Sequence, residues 1–273
     1  MTIEQFIAET LAEDVGRGDL FSRVTESVDT EGRLLAKSNG LFSGQLYGEK
    51  LSKLQDFKIE WFKKDGEKFK KGETLAKIYG DSHTLLTVER TLLNMILHSS
   101  SIATETNRYV ELIEPYGVKL LDTRKTRPLL RAFEKYSTRM GGAVNHRMGL
   151  DDSLMLKDTH LQTIEDLEAF LKDARKKIPF TSKIEIECET FEAVQEAMRC
   201  GADIVMCDNM RPEQLSEIVQ FRDANYPHIP LEASGNITLQ NIVEYAKSGV
   251  DAISSGSMTH QAKWLDISLK IGE

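Results

Sequence analysis

KIEIECETFEAVQEAMRCGADIVMCDNMRPEQLSEIVQFRDANYPHIPLEAS (183–234) is the stretch whose reading decides the fold. Short apolar strands alternate in it with amphipathic helices. KIEIEC (183–188) precedes FEAVQEAMRCG, DIVMCD (203–208) precedes PEQLSEIVQFRDA, and HIPLEAS (228–234) precedes LQNIVEYAKSG. Alternation at this spacing predicts parallel strands joined by right-handed crossovers. The pattern continues outward on both sides. VKLLDT (118–123) leads to a helix starting near Pro128, SLMLKD (153–158) to one from about Ile164 to Lys177, and DAISSG (251–256) comes last. Six or seven such units closing on themselves predict a TIM-like α/β barrel of about seven strands. Periodicity alone leaves an open doubly wound sheet as the alternative.

Upstream of Ile102 the character changes. Ile3 to Leu11 has helical apolar spacing, and EDVGRGDL forms turns. RLLAKS (33–38) and IEWF (59–62) read as strands, with Asp65-Gly66 and Lys71-Gly72 as tight turns between them. TLLTVERTLLNMILHSSSIATETNRYVELI then reads as one or two long helices. This mixture reads as an α+β module capped by helices, packed tightly against the repeat that follows.

The 273 residues have a hydrophobic fraction of 40% and a charged fraction of 29%, which are those of an ordinary globular protein. No apolar run is long enough to span a bilayer, and the N-terminus lacks a basic region followed by an apolar one. The cysteines Cys188, Cys200 and Cys207 lack zinc-type spacing and read as buried reduced thiols, so a cytoplasmic protein is expected.

Charge is distributed unevenly. The net charge is -8, yet Arg124, Lys125, Arg127, Arg131, Lys135, Arg139, Arg147 and Lys157 fall in one segment with His146, opposed by Glu134, Asp151 and Asp152. An acidic protein that gathers its cations in one place is built to hold a small, highly charged anion there, not nucleic acid.

Each expected strand of the repeat also ends in polar groups, where parallel barrels build their sites. These are Asp122 to Lys125, Lys157-Asp158, Glu187, Asp208-Asn209, Ser234-Gly235-Asn236 and Ser254-Ser255-Gly256. For any single strand such residues do no more than start a loop. Strand periodicity puts Glu185 and Glu187 on one face. If that face is interior, both need partners such as Lys125, Lys157 or a metal, and Glu185 also reads as half of a structural ion pair. LEASGNI, placed before a helix, and AISSGS read as a phosphate cradle. Beside Arg147, His146 reads as an anion contact. Arg90, on the polar side of its helix, reads as a solvated arginine.

These motifs resemble the quinolinate phosphoribosyltransferase family. LLDTRKTRPLLRAFEKYSTRMGG, NHRMGLDDSLMLKDTH, IEIECETFEAV, DIVMCDNM, LEASGNI and GVDAISSGSMTH carry the resemblance, and EDVGRGDL and VERTLLNMILHSSSIAT extend it over nearly the whole chain. It implies phosphoribosyl transfer from 5-phosphoribosyl 1-pyrophosphate to quinolinate, with decarboxylation, in de novo NAD biosynthesis. It further implies an N-terminal α/β sandwich domain over 1–103, with the C-terminal tail 267–273 packed against it, and a C-terminal α/β barrel over 104–266, joined in a homodimer, or a higher oligomer, with shared active sites. Arg124, His146, Arg147 and Lys157 would bind the quinolinate carboxylates, joined by Arg90 of the partner subunit. Lys125, Glu187 and Asp208 would face phosphoribosyl pyrophosphate, the two acids reaching its Mg2+. Glu187, Asp208, Lys125 and Lys157 would act in catalysis, while Ser234, Gly235, Asn236, Ser254, Ser255 and Gly256 would hold the 5-phosphate.

Ser101 and Ala143 replace expected glycines, and Phe21-Ser22 follow GRGDL where threonines are common. A molybdenum-associated branch of the same fold is an alternative, as are a phosphosugar isomerase or aldolase with a Schiff-base Lys157 and a non-catalytic anion-binding protein.

Overall fold

Antiparallel pairing organises the first part of the chain in the computed structural model, which describes residues 2–272. The elements there are α1 (Ile3–Val15), β1 (Asp29–Ala36), β2 (Gly40–Leu41), α2 (Gln45–Leu54), β3 (Lys58–Trp61), β4 (Lys68–Phe69) and β5 (Thr74–Asp81). The stretch expected as one or two helices is a single helix, α3 (Ser82–Ile113), of 32 residues.

The second part alternates strand and helix. It runs β6 (Lys119–Leu121), α4 (Arg131–Met140), β7 (Leu154–Leu156), α5 (Asp158–Leu161), α6 (Leu167–Lys177), β8 (Ile184–Cys188) and α7 (Phe191–Arg199). It continues with β9 (Ile204–Asp208), α8 (Pro212–Asn225), β10 (Leu231–Ser234), α9 (Ile242–Lys247), β11 (Ala252–Ser254), α10 (Ser257–His260) and β12 (Ile267–Ile271).

The chain divides into two compact units, Met1–Glu105 with Ala262–Glu273, and Thr106–Gln261. In the first unit the sheet order is β12-β1-β5-β3. The last strand pairs antiparallel with β1, from Gly32 opposite Ile271 to Ala36 opposite Ile267. Alternation along β1 buries Leu34 and Ala36 while Arg33 and Leu35 stay partly exposed, as expected for a strand with one covered face.

The second unit is a parallel sheet in the order β6-β11-β10-β9-β8-β7. From β7 to β11 each strand lies beside the next in sequence, and the first strand, β6, pairs with the last, β11. A doubly wound sheet reverses direction in its middle. This one winds one way throughout, as a barrel does. Val144 adds a further parallel bridge to Leu121 on the other edge of β6. The core between sheet and helices includes Leu120, Ile184, Ile186, Val205, Leu231 and Ile253, with Leu171, Val194, Leu215 and Ile242 from the helices. Cys188, Cys200 and Cys207 are buried free thiols. Burial pushes the first and third up to about 12.

Three helices start later than the sequence pattern suggests. The expected helix from Pro128 begins at Arg131, because Leu129 has φ 63°, a left-handed conformation that a helix interior does not admit. α6 begins at Leu167 rather than Ile164, where the Asp166 side chain caps it by accepting from Ala169 N–H. After β10, Asn236 has φ 51° and a turn around Thr238–Asn241 intervenes, so α9 begins only at Ile242. Among the described residues no helix is long and apolar enough to cross a membrane.

Candidate active site

A cavity of about 340 Å3 opens where the parallel strands end. Thr123, Arg124 and Lys125 reach it from the loop after β6, and Lys157 follows β7. Glu187, Asp208, Ser234 and Ser254 come from the last residues of β8 to β11, with His146 and Arg147 from the segment after Val144. Nine of the sequence-derived site residues are therefore brought together. Three further lining groups, Met155, Met206 and Glu232, had not been singled out, and Thr123 only as part of the polar end of its strand.

The cations of the 124–157 segment divide between structure and cavity. Lys135 is buried in an ion pair with Asp122, and although burial lowers its pKa, that carboxylate opposes the shift. Arg127 pairs with the buried Glu134 at 2.7 Å. Arg131 donates to the carbonyl of Met148. Arg124, Lys125, Arg147 and Lys157 are left facing the cavity. Burial and then the charge of Arg124 depress the Arg147 pKa, a direct sign that cations are crowded together here.

Asp122 anchors the whole Asn145–Arg147 segment. Its carboxylate accepts from Lys135 Nζ, from the His146 N–H at 2.8 Å, and from Thr138 Oγ1 and Asn145 Nδ2 at 2.9 and 2.6 Å. The Lys135 ammonium also donates to the His146 carbonyl at 2.7 Å. Arg147 is steadied further out, where Nη1 donates to the Ser153 carbonyl at 3.0 Å.

Glu187 and Lys157 form an ion pair at the rim, with 11% and 43% of their side chains exposed. Glu185 differs from expectation. Its partner is neither Lys125 nor Lys157 but His146, whose Nε2 lies 3.2 Å from Glu185 Oε2 and 3.3 Å from Glu232 Oε2. Both carboxylates are almost wholly buried, at 1% and 2% exposure. The reason is positional: Glu185 stands two residues below the rim, out of reach of the rim lysines, at the depth where the His146 ring enters.

Burial works against a charged imidazole, but hydrogen bonding and charge from Glu185 and Glu232 outweigh it and lift the ring to about 10. A fully protonated ring conflicts with the Arg147 N–H, which donates to Nδ1 at 2.7 Å and needs a lone pair there. The geometry therefore puts a ring proton on Nε2, facing both acids, while burial first and then the charge of Glu185 raise the Glu232 pKa.

Around the expected phosphate loops, Ser234 and Ser254 line the cavity, but Ser234-Gly235-Asn236 does not lead directly into a helix, as α9 starts six residues beyond Asn236. The helix start lies instead after β11, where Gly256 immediately precedes α10. Gly235 has φ 99°, and a Cβ there would stand 2.3 Å from Asn209 Oδ1, so two loops meet where only glycine fits. A Cβ on Gly256 would press on Lys125 Cδ and Thr123 Oγ1, both at 3.2 Å. Ser255 turns inward to donate to the Ile237 carbonyl at 3.0 Å. Arg90 lies exposed on α3, in the other compact unit.

Comparison with known proteins places this architecture. The family described as quinolinate phosphoribosyl transferase matches through its N-terminal domain over residues 19–100 and its C-terminal domain over 102–270. This chain belongs to that family. A probable nicotinate-nucleotide pyrophosphorylase [carboxylating] from Synechocystis is 39% identical, covering 98% of this chain and 92% of the relative. The nicotinate-nucleotide pyrophosphorylase [carboxylating] of Homo sapiens is 33% identical over 99% of this chain and 92% of its own. The solved structure of the nicotinate-nucleotide pyrophosphorylase from Francisella tularensis superposes with a TM-score of 0.92 at 34% identity, covering 98% of this chain and 95% of that one. The family match spans both parts of the chain, so the cavity sits in a fold shared throughout.

Proposed function

We propose that this chain transfers phosphoribose from 5-phosphoribosyl 1-pyrophosphate to the ring nitrogen of quinolinate and releases the 2-carboxylate as CO2. The products are nicotinate mononucleotide and pyrophosphate, a step of de novo NAD synthesis. The observation that carries this reading is the cavity with Arg124, Lys125, Arg147 and Lys157 on its wall and Glu187 and Asp208 among them. A dianion and a polyphosphate repel each other strongly unless neutralised. Arginine forks suit the planar carboxylates and lysine suits phosphate.

In this reading Arg124, Arg147 and Lys157, with His146 beside them, hold the quinolinate carboxylates, and the partner subunit's Arg90 completes the set in a homodimer. Lys125 faces the pyrophosphate. Ser234 and Ser254 approach the 5-phosphate, helped by the backbone of Gly235, Asn236, Ser255 and Gly256. As the ring nitrogen attacks C1 of the ribose, positive charge grows on the sugar and Glu187 stabilises it. The alkylated nitrogen is then cationic and stabilises the carbanion left on C2 when CO2 departs, and a proton taken up from water at C2 completes nicotinate mononucleotide, so the protein need only hold that carboxylate in place.

Mg2+ fits the oxygen donors present. Asp208 lines the cavity, with one carboxylate oxygen accepting from Asn209 Nδ2 at 2.6 Å, and Glu187 stands on the neighbouring strand. Bound with the substrate, Mg2+ would neutralise the leaving pyrophosphate. The cytoplasm, where both substrates are soluble anions, is the proposed site of action. A Schiff-base reading of Lys157 is disfavoured because its Nζ is engaged with the Glu187 carboxylate.

The test is pyrophosphate release with quinolinate against nicotinate. Nicotinate leaves cavity cations unpaired, at roughly 1–3 kcal/mol per group, so quinolinate should be turned over at least about fivefold better, the factor that about 1 kcal/mol gives. Comparable turnover of the two acids refutes the reading.

A further inference from the structure

Two carboxylates on the inner wall of a cavity lined by cations demand a reason. Glu232 lines that cavity, and Glu185 lies buried beside it with His146 between them. Two of their four oxygens, Glu185 Oε1 and Glu232 Oε1, are buried without a hydrogen-bond partner, and Glu185 Oε2 meets His146 Nε2. Such groups are costly to bury, and an anion entering the cavity meets them at close quarters. What they hold is the imidazole. Its Nε2 faces both carboxylates, while Nδ1 accepts the backbone N–H of Arg147 at 2.7 Å. Both ring nitrogens are thus committed, and the ring ties the interior of the sheet to the arginine that lines the cavity.

We infer that Glu232, together with Glu185, is a positioning residue for the dicarboxylate substrate: the two carboxylates seat the His146 ring and through it fix the backbone and guanidinium of Arg147. The seat is built from three separated parts of the chain, the interiors of β8 and β10 and the segment after Val144. On the other side Asp122 and Lys135 clamp the same backbone through the His146 N–H and carbonyl. The arginine is therefore held from its ring-bearing neighbour and from its main chain at once. A guanidinium fork recognises a carboxylate only in a narrow geometry, so loosening the seat weakens quinolinate recognition before it affects the sugar phosphate.

The inference rests on the quinolinate reading and is tested with the full-length protein by steady-state kinetics on Glu232→Ala and Glu232→Gln. Glu232→Ala is expected to raise KM for quinolinate about tenfold or more, as displacement of a binding group by a fraction of an ångström does, while KM for phosphoribosyl pyrophosphate moves less than about twofold. Glu232→Gln keeps an acceptor for Nε2–H and should restore most of the loss. An unchanged quinolinate KM, or a parallel rise in both KM values, overturns the inference. If Glu232→Ala does not fold, nitrogen NMR of the His146 ring in the wild-type protein decides. A protonated Nε2 with an unprotonated Nδ1 supports the seat, and the reverse tautomer or a rapidly averaging ring overturns it. A wild-type protein that releases no pyrophosphate with quinolinate instead removes the functional reading on which the inference stands.

Discussion

Glu187 stands one residue before the end of β8 with its carboxylate against Lys157 and little of its surface in water. A negative charge so placed acts on a sugar that becomes cationic only in the transition state, where a preorganised charge is most effective. Glu187→Ala is expected to lower kcat by about a hundredfold with a much smaller change in quinolinate KM. A merely structural Glu187 would give a lower Tm with normal turnover of the folded fraction. This residue was legible in the sequence because strand periodicity and rim position both single it out. Glu232 was not, although counting two residues back from Ser234 puts it on the same inner face. Its importance comes from meeting Glu185 and His146, which are distant in sequence, and no local pattern encodes that meeting. The same holds for Lys135: the sequence shows a cation, but only the fold brings Asp122 to neutralise it.

At the scale of the elements, the alternation of strand and helix in the second unit was readable, while helix starts were not. Pro128 is compatible with a first helical turn, yet the left-handed Leu129 delays α4 to Arg131, and a conformation of that kind in a leucine leaves no compositional mark. The long helix α3 depends on a more visible device. Asp81, the residue before it, accepts from the Thr84 N–H at 3.0 Å and from Ser27 Oγ at 2.8 Å. Hydrogen bonds from Thr84, and then from Ser27, hold its carboxyl down at about 2. Asp81→Ala should cost about 1 kcal/mol, the usual value for a lost cap. That corresponds to a fall of about 2–4 °C in Tm near neutral pH. Because the folded carboxyl titrates below its ordinary range, its stabilisation is complete above the ordinary aspartate pKa and is lost as the pH falls through about 2. The Tm difference between wild type and variant should therefore shrink from about pH 4 downward. A difference that stays constant to pH 2 would show that the carboxylate is not the cap.

For the molecule as a whole, the order of strands distinguishes the barrel winding from a doubly wound sheet, which the sequence pattern could not do. The order follows from which edges meet, and every crossover here is long enough to permit either. Arg90 poses the complementary problem. It is exposed on α3, and its proposed role lies with the partner subunit's cavity. If that is so, Arg90→Ala and Lys157→Ala homodimers are each nearly inactive, since every site lacks one group. In a mixed dimer one site is assembled from the intact barrel of the Arg90→Ala chain and the arginine of the Lys157→Ala chain. The other site lacks both groups. Random exchange of equal amounts makes half of the dimers mixed, each with one working site of two, so activity should recover to roughly a quarter of wild type under two-fold symmetry. Exchange is driven by mild denaturation and verified by pulling down differently tagged chains together. Mixtures that exchange yet stay as inactive as their parents would place Arg90 in its own subunit's chemistry, and an active Arg90→Ala homodimer would place it outside the chemistry altogether.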